Sequence, residues 1–335
     1  MKAGWLLWED STLSLKTAKE IIPLVFLGQI SKEMRDVVCM SVSQQWQLAI
    51  PTEKGPCLWV SSNGRDWKHT GNPSLNTPSE ANIVLEARLG QAAIVEPGWV
   101  HIFDGDTWNQ EKKPKGAGWA GLGRDGSWWV VGAQSSTRIK TADHEVAAWK
   151  RDTKGAPWKR IEIQPASWWQ GVRTIARGGF GSLSAIDAME DPLILASECE
   201  WFADDPSWFV FRQREDGRFH IQRLPRIAIS SIERSDDGEP FIITTDGDLW
   251  EWEGKRWKSC GVAKSLSRSL LQYQIPTDQT VSLAIRKKVM AAVVTVWRKG
   301  KPAEQLALQS DDRGRSWSLI LRSVEGQRFL APWVQ

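Results

Sequence analysis

The stretch Ser310-Asp311-Asp312-Arg313-Gly314-Arg315-Ser316-Trp317 decides how this chain is read. A serine is followed by an aspartate two residues on, a glycine four on and a tryptophan seven on, which is the pattern S-x-D-x-G-x-[ST]-W. An aspartate carboxylate in a turn accepts hydrogen bonds from the N–H groups of that turn. Gly314 supplies a backbone angle that a side chain would forbid. Trp317 then opens a return strand and lays a large ring against a neighbouring hairpin. The stretch predicts a turn between two antiparallel strands, with Ser310, Asp312, Gly314 and Trp317 in structural roles.

Looser copies of the same plan occur at 58–67, 100–108, 149–158, 210–219 and 249–257. In each, an apolar strand runs into a polar turn containing glycine, and an aromatic residue opens the return strand. Asn63 takes the aspartate's place in the first copy, one residue shorter, and Phe219 replaces tryptophan in the fourth. The return-strand aromatics Trp67, Trp108, Trp158, Phe219, Trp257 and Trp317 lie 38 to 61 residues apart. A four-stranded propeller blade takes ~40–50 residues, so the spacing fits blades with some long connections. Both ends of the chain, 5–15 and 328–334, also read as strands. A blade shared between the termini would close the ring and remove its exposed edges. The expected fold is all-β, a single β-propeller domain over 1–335, with seven blades first and six as the alternative. A pair of stacked β-sandwiches is the rival, and it explains the periodic tryptophans less well. Amphipathic helical periods are scarce, and the most irregular regions are 134–144, 178–207 and 270–288, where function on a rigid scaffold tends to sit.

The 310–317 pattern resembles the Asp box, or BNR repeat, of sialidase-like β-propellers. One copy matches fully; over the rest of the chain the likeness is a periodicity. The resemblance implies that such turns join the outer two strands of a blade, away from the mouth where substrates bind. It also implies what a sialidase would carry: three arginines on a substrate carboxylate, a tyrosine–glutamate nucleophile pair and an acid/base carboxyl. The single tyrosine, Tyr273, sits in an apolar stretch and reads as a core or rim aromatic. The arginine-bearing N-terminal motif of that family is not visible, so the sialidase reading fails.

Composition narrows the partners. The 335 residues include 22 tryptophans, as a ring of stacked hairpins demands. Lys+Arg number 43 against 40 Asp+Glu, a balance of +3 that gives no basic field for nucleic acid. The apolar run 21–30 is about ten residues, well short of the ~20 that span a bilayer. The opening ten residues carry too short an apolar run for a signal peptide, so a cytoplasmic location is expected. Cys39, Cys57, Cys199 and Cys260 lie far apart and read as buried or half-buried free thiols. His69, His101, His144 and His220 are scattered singly, so neither a metal site nor a cofactor is expected.

Two function classes remain. The first is a non-catalytic protein-binding propeller, an adaptor, an assembly factor or the immunity partner of a toxin, with no catalytic residues. The second is an Asp-box glycoside hydrolase or glycan-binding protein, which needs a pair of carboxylates flanked by tryptophan. Candidate binding residues for either are Trp168, Trp169, Arg173 and Arg177, and the acid- and Trp-rich run Glu198, Glu200, Trp201, Asp204, Asp205 and Trp208. Acids in such a run are also what a solvated loop looks like, and Asp104, Asp106, Asp246 and Asp248 read as turn residues.

Overall fold

The computed structural model describes residues 2–9, 12–24, 39–42, 45–50, 52, 55–78, 81–86, 90–115, 117–122, 125–135, 144–152, 155–161, 180–187, 193–198, 208–213, 219–224, 227–234, 239–254, 256–272, 279–297, 303–324 and 327–335. Short apolar runs broken by glycine and aspartate turns form strands throughout. The first three are β1 (Ala3–Glu9), β2 (Thr12–Thr17) and β3 (Ile21–Pro23). The next sheet holds β4 (Cys39–Val42), β5 (Trp46–Ile50), β6 (Cys57–Ser61) and β7 (Lys68–His69). Then come β8 (Asn82–Glu86), β9 (Gln91–Glu96), β10 (Trp99–Phe103) and β11 (Trp108–Lys112). A fourth group is β12 (Ala117–Leu122), β13 (Trp128–Ser135), β14 (His144–Arg151) and β15 (Lys159–Ile161). A fifth is β16 (Phe180–Asp187), β17 (Leu193–Glu198), β18 (Trp208–Gln213) and β19 (Phe219–Arg223). The sixth is β20 (Ile229–Arg234), β21 (Pro240–Thr244), β22 (Leu249–Trp252) and β23 (Trp257–Ser259). Helix α1 (Val262–Gln272) precedes β24 (Gln279–Arg286), β25 (Val289–Val296), β26 (Glu304–Ser310), β27 (Ser318–Arg322) and the last strand, β28 (Gln327–Val334).

Each group is a four-stranded sheet in sequence order, and β28 completes the sheet of β1, β2 and β3. Among the described residues these make seven four-stranded sheets, and the fold is an all-β propeller. As the sequence suggested, the two ends of the chain share a sheet: Ala3 pairs with Val334 and Glu9 with Gln327. The chain divides into two compact units, Met1–Asn72 with Ala87–Gly90 and Glu233–Gln335, and Pro73–Glu86 with Gln91–Ile232.

In the first unit, β25 shows why the sheets stack. Its sequence, VMAAVVTV, is apolar almost throughout, so both faces of the strand must be covered. Side chains alternate between faces. Met290, Ala292, Val294 and Val296 join a core with Phe241, Ile243, Leu249 and Trp317. Val289, Ala291 and Val293 join another with Trp5, Leu7 and Phe329. Trp5 is fully buried, and its Nε1 donates to the Ala292 carbonyl at 2.9 Å. A third core joins Leu6, Leu13, Leu15 and Trp333 to Trp46, Leu48 and Ile50, with the Trp46 and Trp333 rings 4.8 Å apart. In the second unit, Ala92, Ala93 and Ile94 of β9 are fully buried. There, buried Arg151 at the end of β14 pairs with Glu111 of β11 and lies over the Trp158 ring. A guanidinium this deep needs such a partner, because a lone buried charge is costly.

The irregular regions require correction. Within them, residues 134–135, 144, 180–187, 193–198 and 279–286 belong to strands, not loops. Residues 262–272 form a helix, with Val262, Leu266, Ser269 and Leu270 on its buried stripe. That spacing is the helical period.

Deleting residues 327–335 removes the partner of β1 and uncovers Trp5 and Leu7. The thermal midpoint should fall by on the order of 10 °C or more, since several kcal/mol of apolar burial are lost. A circular dichroism melt with an unchanged midpoint would contradict this packing.

Candidate functional site

The 310–317 turn connects β26 to β27, the third and fourth strands of their sheet. The Ser310 hydroxyl donates to Asp312 Oδ1 at 2.7 Å and accepts the Gly314 N–H at 2.8 Å. Asp312 Oδ1 also accepts the Ser316 N–H at 2.9 Å, and Oδ2 accepts the Ser316 hydroxyl at 2.6 Å. The Ser316 bonds chiefly, with help from Ser310, hold the Asp312 carboxyl down at about 2. Gly314 has φ of 77°, and a β-carbon there would meet Met290 and Val262 at 3.0 Å. Trp317 is buried, and its Nε1 donates to Ser265 Oγ of α1 at 3.2 Å. The ring lies in the core shared with Phe241, Ile243 and Leu249 of the β21–β22 hairpin, as the sequence suggested, and also reaches α1. The Ser265 hydroxyl also donates to the Gly314 carbonyl, and Arg313 pairs with Glu251 of β22.

The turn after β6 repeats this wiring with an amide. Ser61 Oγ accepts the Gly64 N–H at 2.9 Å, and Asn63 Oδ1 accepts the N–H groups of Arg65 and Asp66 at 2.8 and 2.9 Å. Both turns are saturated with internal bonds, which leaves their carboxylate or amide no chemical work. Asp104 likewise binds the Asp106 and Thr107 N–H groups. Asp246 accepts the Thr244 hydroxyl. Asp248 closes the same turn, its N–H reaching Thr244 Oγ1 at 2.8 Å, and its side chain does more. It accepts the Ser259 hydroxyl and the Ala263 N–H, capping the start of α1 from a distant loop.

Of the candidate binding residues, Trp168, Trp169, Arg173, Arg177, Glu200, Trp201, Asp204 and Asp205 lie outside the described residues, as does Tyr273. Glu198 ends β17, where its backbone pairs with Phe180. Trp208 opens β18 and is 9% exposed, so its ring belongs to the core and offers little surface. Cys260 is exposed, against the expectation of burial, and Cys57 is half-buried; both are free.

Two features escaped the sequence reading. The first is a buried Glu96–His101 pair, in which His101 Nε2 lies 2.8 Å from Glu96 Oε1. The hairpin register sets Trp99 opposite Glu96 and Ile94 opposite His101, so the two are diagonal neighbours on one face. Folding the chain around Pro97 and Gly98 would have revealed it. The Glu96 carboxylate also accepts the N–H groups of Asn76 and Thr77, each at 2.8 Å. Burial alone would raise its pKa, but the bonds from His101, Thr77 and Asn76 outweigh burial and hold it below the usual carboxylate value.

The second feature is an exposed apolar end of the β24–β27 sheet. Trp297 follows β25 and is 56% exposed; Val324 lies just beyond β27 and is 62% exposed. Val296 pairs with Glu304, Leu306 pairs with Arg322, and the Ser323 N–H donates to the Gln305 carbonyl at 2.8 Å. Trp297 and Val324 therefore sit at the same end of that sheet. Every other tryptophan whose side chain is described is buried or half-buried.

Among the described residues, no three of His, Cys, Asp and Glu converge as a metal-binding group. No described helix is long and apolar enough to cross a membrane. No protein-family model and no curated protein matches the chain. Solved structures do resemble it. A protein from Lactobacillus plantarum superposes with a TM-score of 0.55 at 10% identity, covering 99% of this chain and 98% of that one. A quinonprotein alcohol dehydrogenase-like protein from Bacteroides thetaiotaomicron gives 0.50 at 8% identity, covering 99% and 77%. YCF48 bound to D1 peptide gives 0.49 at 15% identity, covering 86% and 82%. At such identities the likeness concerns the fold alone.

Replacing Asp312 with alanine should cost about 1 kcal/mol, since the lost bonds are charge-assisted but partly solvent-screened. Asp312→Asn should cost less, because Asn63 already fills that role in the sister turn. The folded carboxyl titrates below its ordinary 3.8, so its contribution is present above that value and fades as pH falls toward about 2. Urea titrations of wild type and both variants between pH 2 and 7 measure this. A wild-type excess over Asp312→Asn that does not shrink on acidification would contradict it.

Proposed function

We propose that this chain is a non-catalytic, protein-binding β-propeller with Asp-box-type turns, and that the Trp297–Val324 end of the β24–β27 sheet is part of its contact surface. The supporting observation is Trp297 itself. In a chain whose other described tryptophans are buried or half-buried, this large ring is left more than half in water, at the same sheet end as an exposed valine. Tryptophan is the residue type that most often dominates interface energy. Around it, Glu304 and Arg322 pair with one another at 3.3 Å, which gives a polar rim. The residues 168–177 and 198–205 remain further proposed contacts on sequence grounds, and a cytoplasmic setting is part of the same proposal. The turns argue against placing chemistry at the aspartates, because Asp312 spends its oxygens on its own loop.

Trp297→Ala should weaken capture of a stoichiometric protein partner from the native host by about 30-fold, the effect of about 2 kcal/mol at an interface centre. The thermal midpoint should stay unchanged, since the ring is outside the core. Affinity capture with quantitative mass spectrometry reads the first, and calorimetry the second. Undiminished capture by the variant, or binding to a glycan panel in place of a protein, would overturn the proposal.

A further inference from the structure

Residues 73–78 run from the β7 side of the chain toward β8, and none of them is buried. The polar groups of Asn76 and Thr77 nevertheless converge on one carboxylate, that of Glu96, which is 1% exposed. The Asn76 and Thr77 N–H groups both reach Glu96 Oε2 at 2.8 Å, and the Thr77 hydroxyl reaches it at 3.3 Å. Asn76 Nδ2 donates to Oε1 at 3.0 Å, beside His101 Nε2. A strap with no buried side chain has little hydrophobic anchorage of its own. We propose that Glu96 is a clasp: its ionised carboxylate seats the 73–78 strap, and neutralising it frees the strap while the β9–β10 hairpin stays folded.

The chemistry is that of a saturated acceptor. Two peptide N–H groups, an amide N–H and the Thr77 hydroxyl face the carboxylate, and of these strap groups only the hydroxyl can accept a proton. A protonated Glu96 must donate its own O–H, so at least one of the bonds that it receives is lost. Charge-assisted bonds are about twice as strong as neutral ones, so the rest weaken too. The strap can then turn its freed N–H groups to water, since Asn76 is already exposed. The hairpin does not share that dependence. Its five residue pairs, Trp99–Glu96 to Phe103–Ala92, and the buried Ile94, Val95, Val100 and Ile102 stand without the carboxylate.

The charged and titratable groups facing Glu96 set the direction. His101 lies on β10, and Lys113, just past β11, interacts with Glu96 through its charge. The described strap residues carry no titratable side chain, and β12, which packs against β9, carries none either. On acidification the strap stays seated until Glu96 itself takes a proton. Its folded pKa is depressed, so the seating is fully present above the unfolded value of 4.5 and is lost as pH falls below it.

Hydrogen exchange with mass spectrometry, corrected for intrinsic rates, reads the amides of residues 74–77 against those of β9 and β10. In Glu96→Gln at neutral pH, strap protection should fall about tenfold while the hairpin's protection is retained. Wild type should show the same selective loss on acidification below 4.5, which decides the matter even if the variant does not fold. Strap protection that persists in a folded Glu96→Gln protein overturns the clasp. So does strap exchange in acid that rises only together with that of the hairpin.

Discussion

A single strand that belongs to two cores is the constraint on which this structure rests. In β25, Ala292 and Val294 face one neighbouring sheet and Ala291 and Val293 face the other, and none of the four is more than 4% exposed. A four-stranded sheet of this size cannot bury its own faces, so it is stable only when both are covered. Burial of each aliphatic side chain is worth about 1.5–3 kcal/mol, and the strand's alternation divides that gain between two interfaces. The small alanines matter as much as the large residues. They let Trp5 approach closely enough for its indole to reach the Ala292 carbonyl. An array built this way needs its ends paired, and the β1–β28 ladder supplies the pairing.

The turns then fix where each sheet meets its neighbour. Asp312 organises its own loop, and that loop in turn presents Gly314 and Trp317 to α1. Asp248 caps the same helix from another turn, and Arg313 pairs with Glu251. The hydrogen bonds at the sheet ends are thus structural joints. Among the described residues, Trp297 is the largest side chain that the joints leave exposed.

Much of this was readable from residue order. The Ser310 to Trp317 spacing specifies the turn because a carboxylate, a positive-φ glycine and a ring each need a fixed offset. The terminal strands were likewise visible as apolar runs. Helix α1 has a legible period in Val262, Leu266, Ser269 and Leu270, but at eleven residues it is a short signal among strand patterns. Trp208 was read as surface from its acidic company, whereas its strand places the ring inside. Exposure of Trp297 was beyond the sequence, since an indole at a strand end reads the same whether or not another sheet covers it. Glu96 was hidden for a related reason: its donors come from a segment about 20 residues away, and no local pattern announces them.

The two-core account is tested most directly by site-resolved hydrogen exchange on Ala292→Asp and Val293→Asp, adjacent substitutions on opposite faces of β25. A buried charge on either face removes support that both neighbouring cores share through one backbone. Each variant should therefore lower protection in β21 and in β1 together, alongside β25. Loss confined to β21 in the first variant and to β1 in the second would show that the sheets are held independently, and would contradict the account.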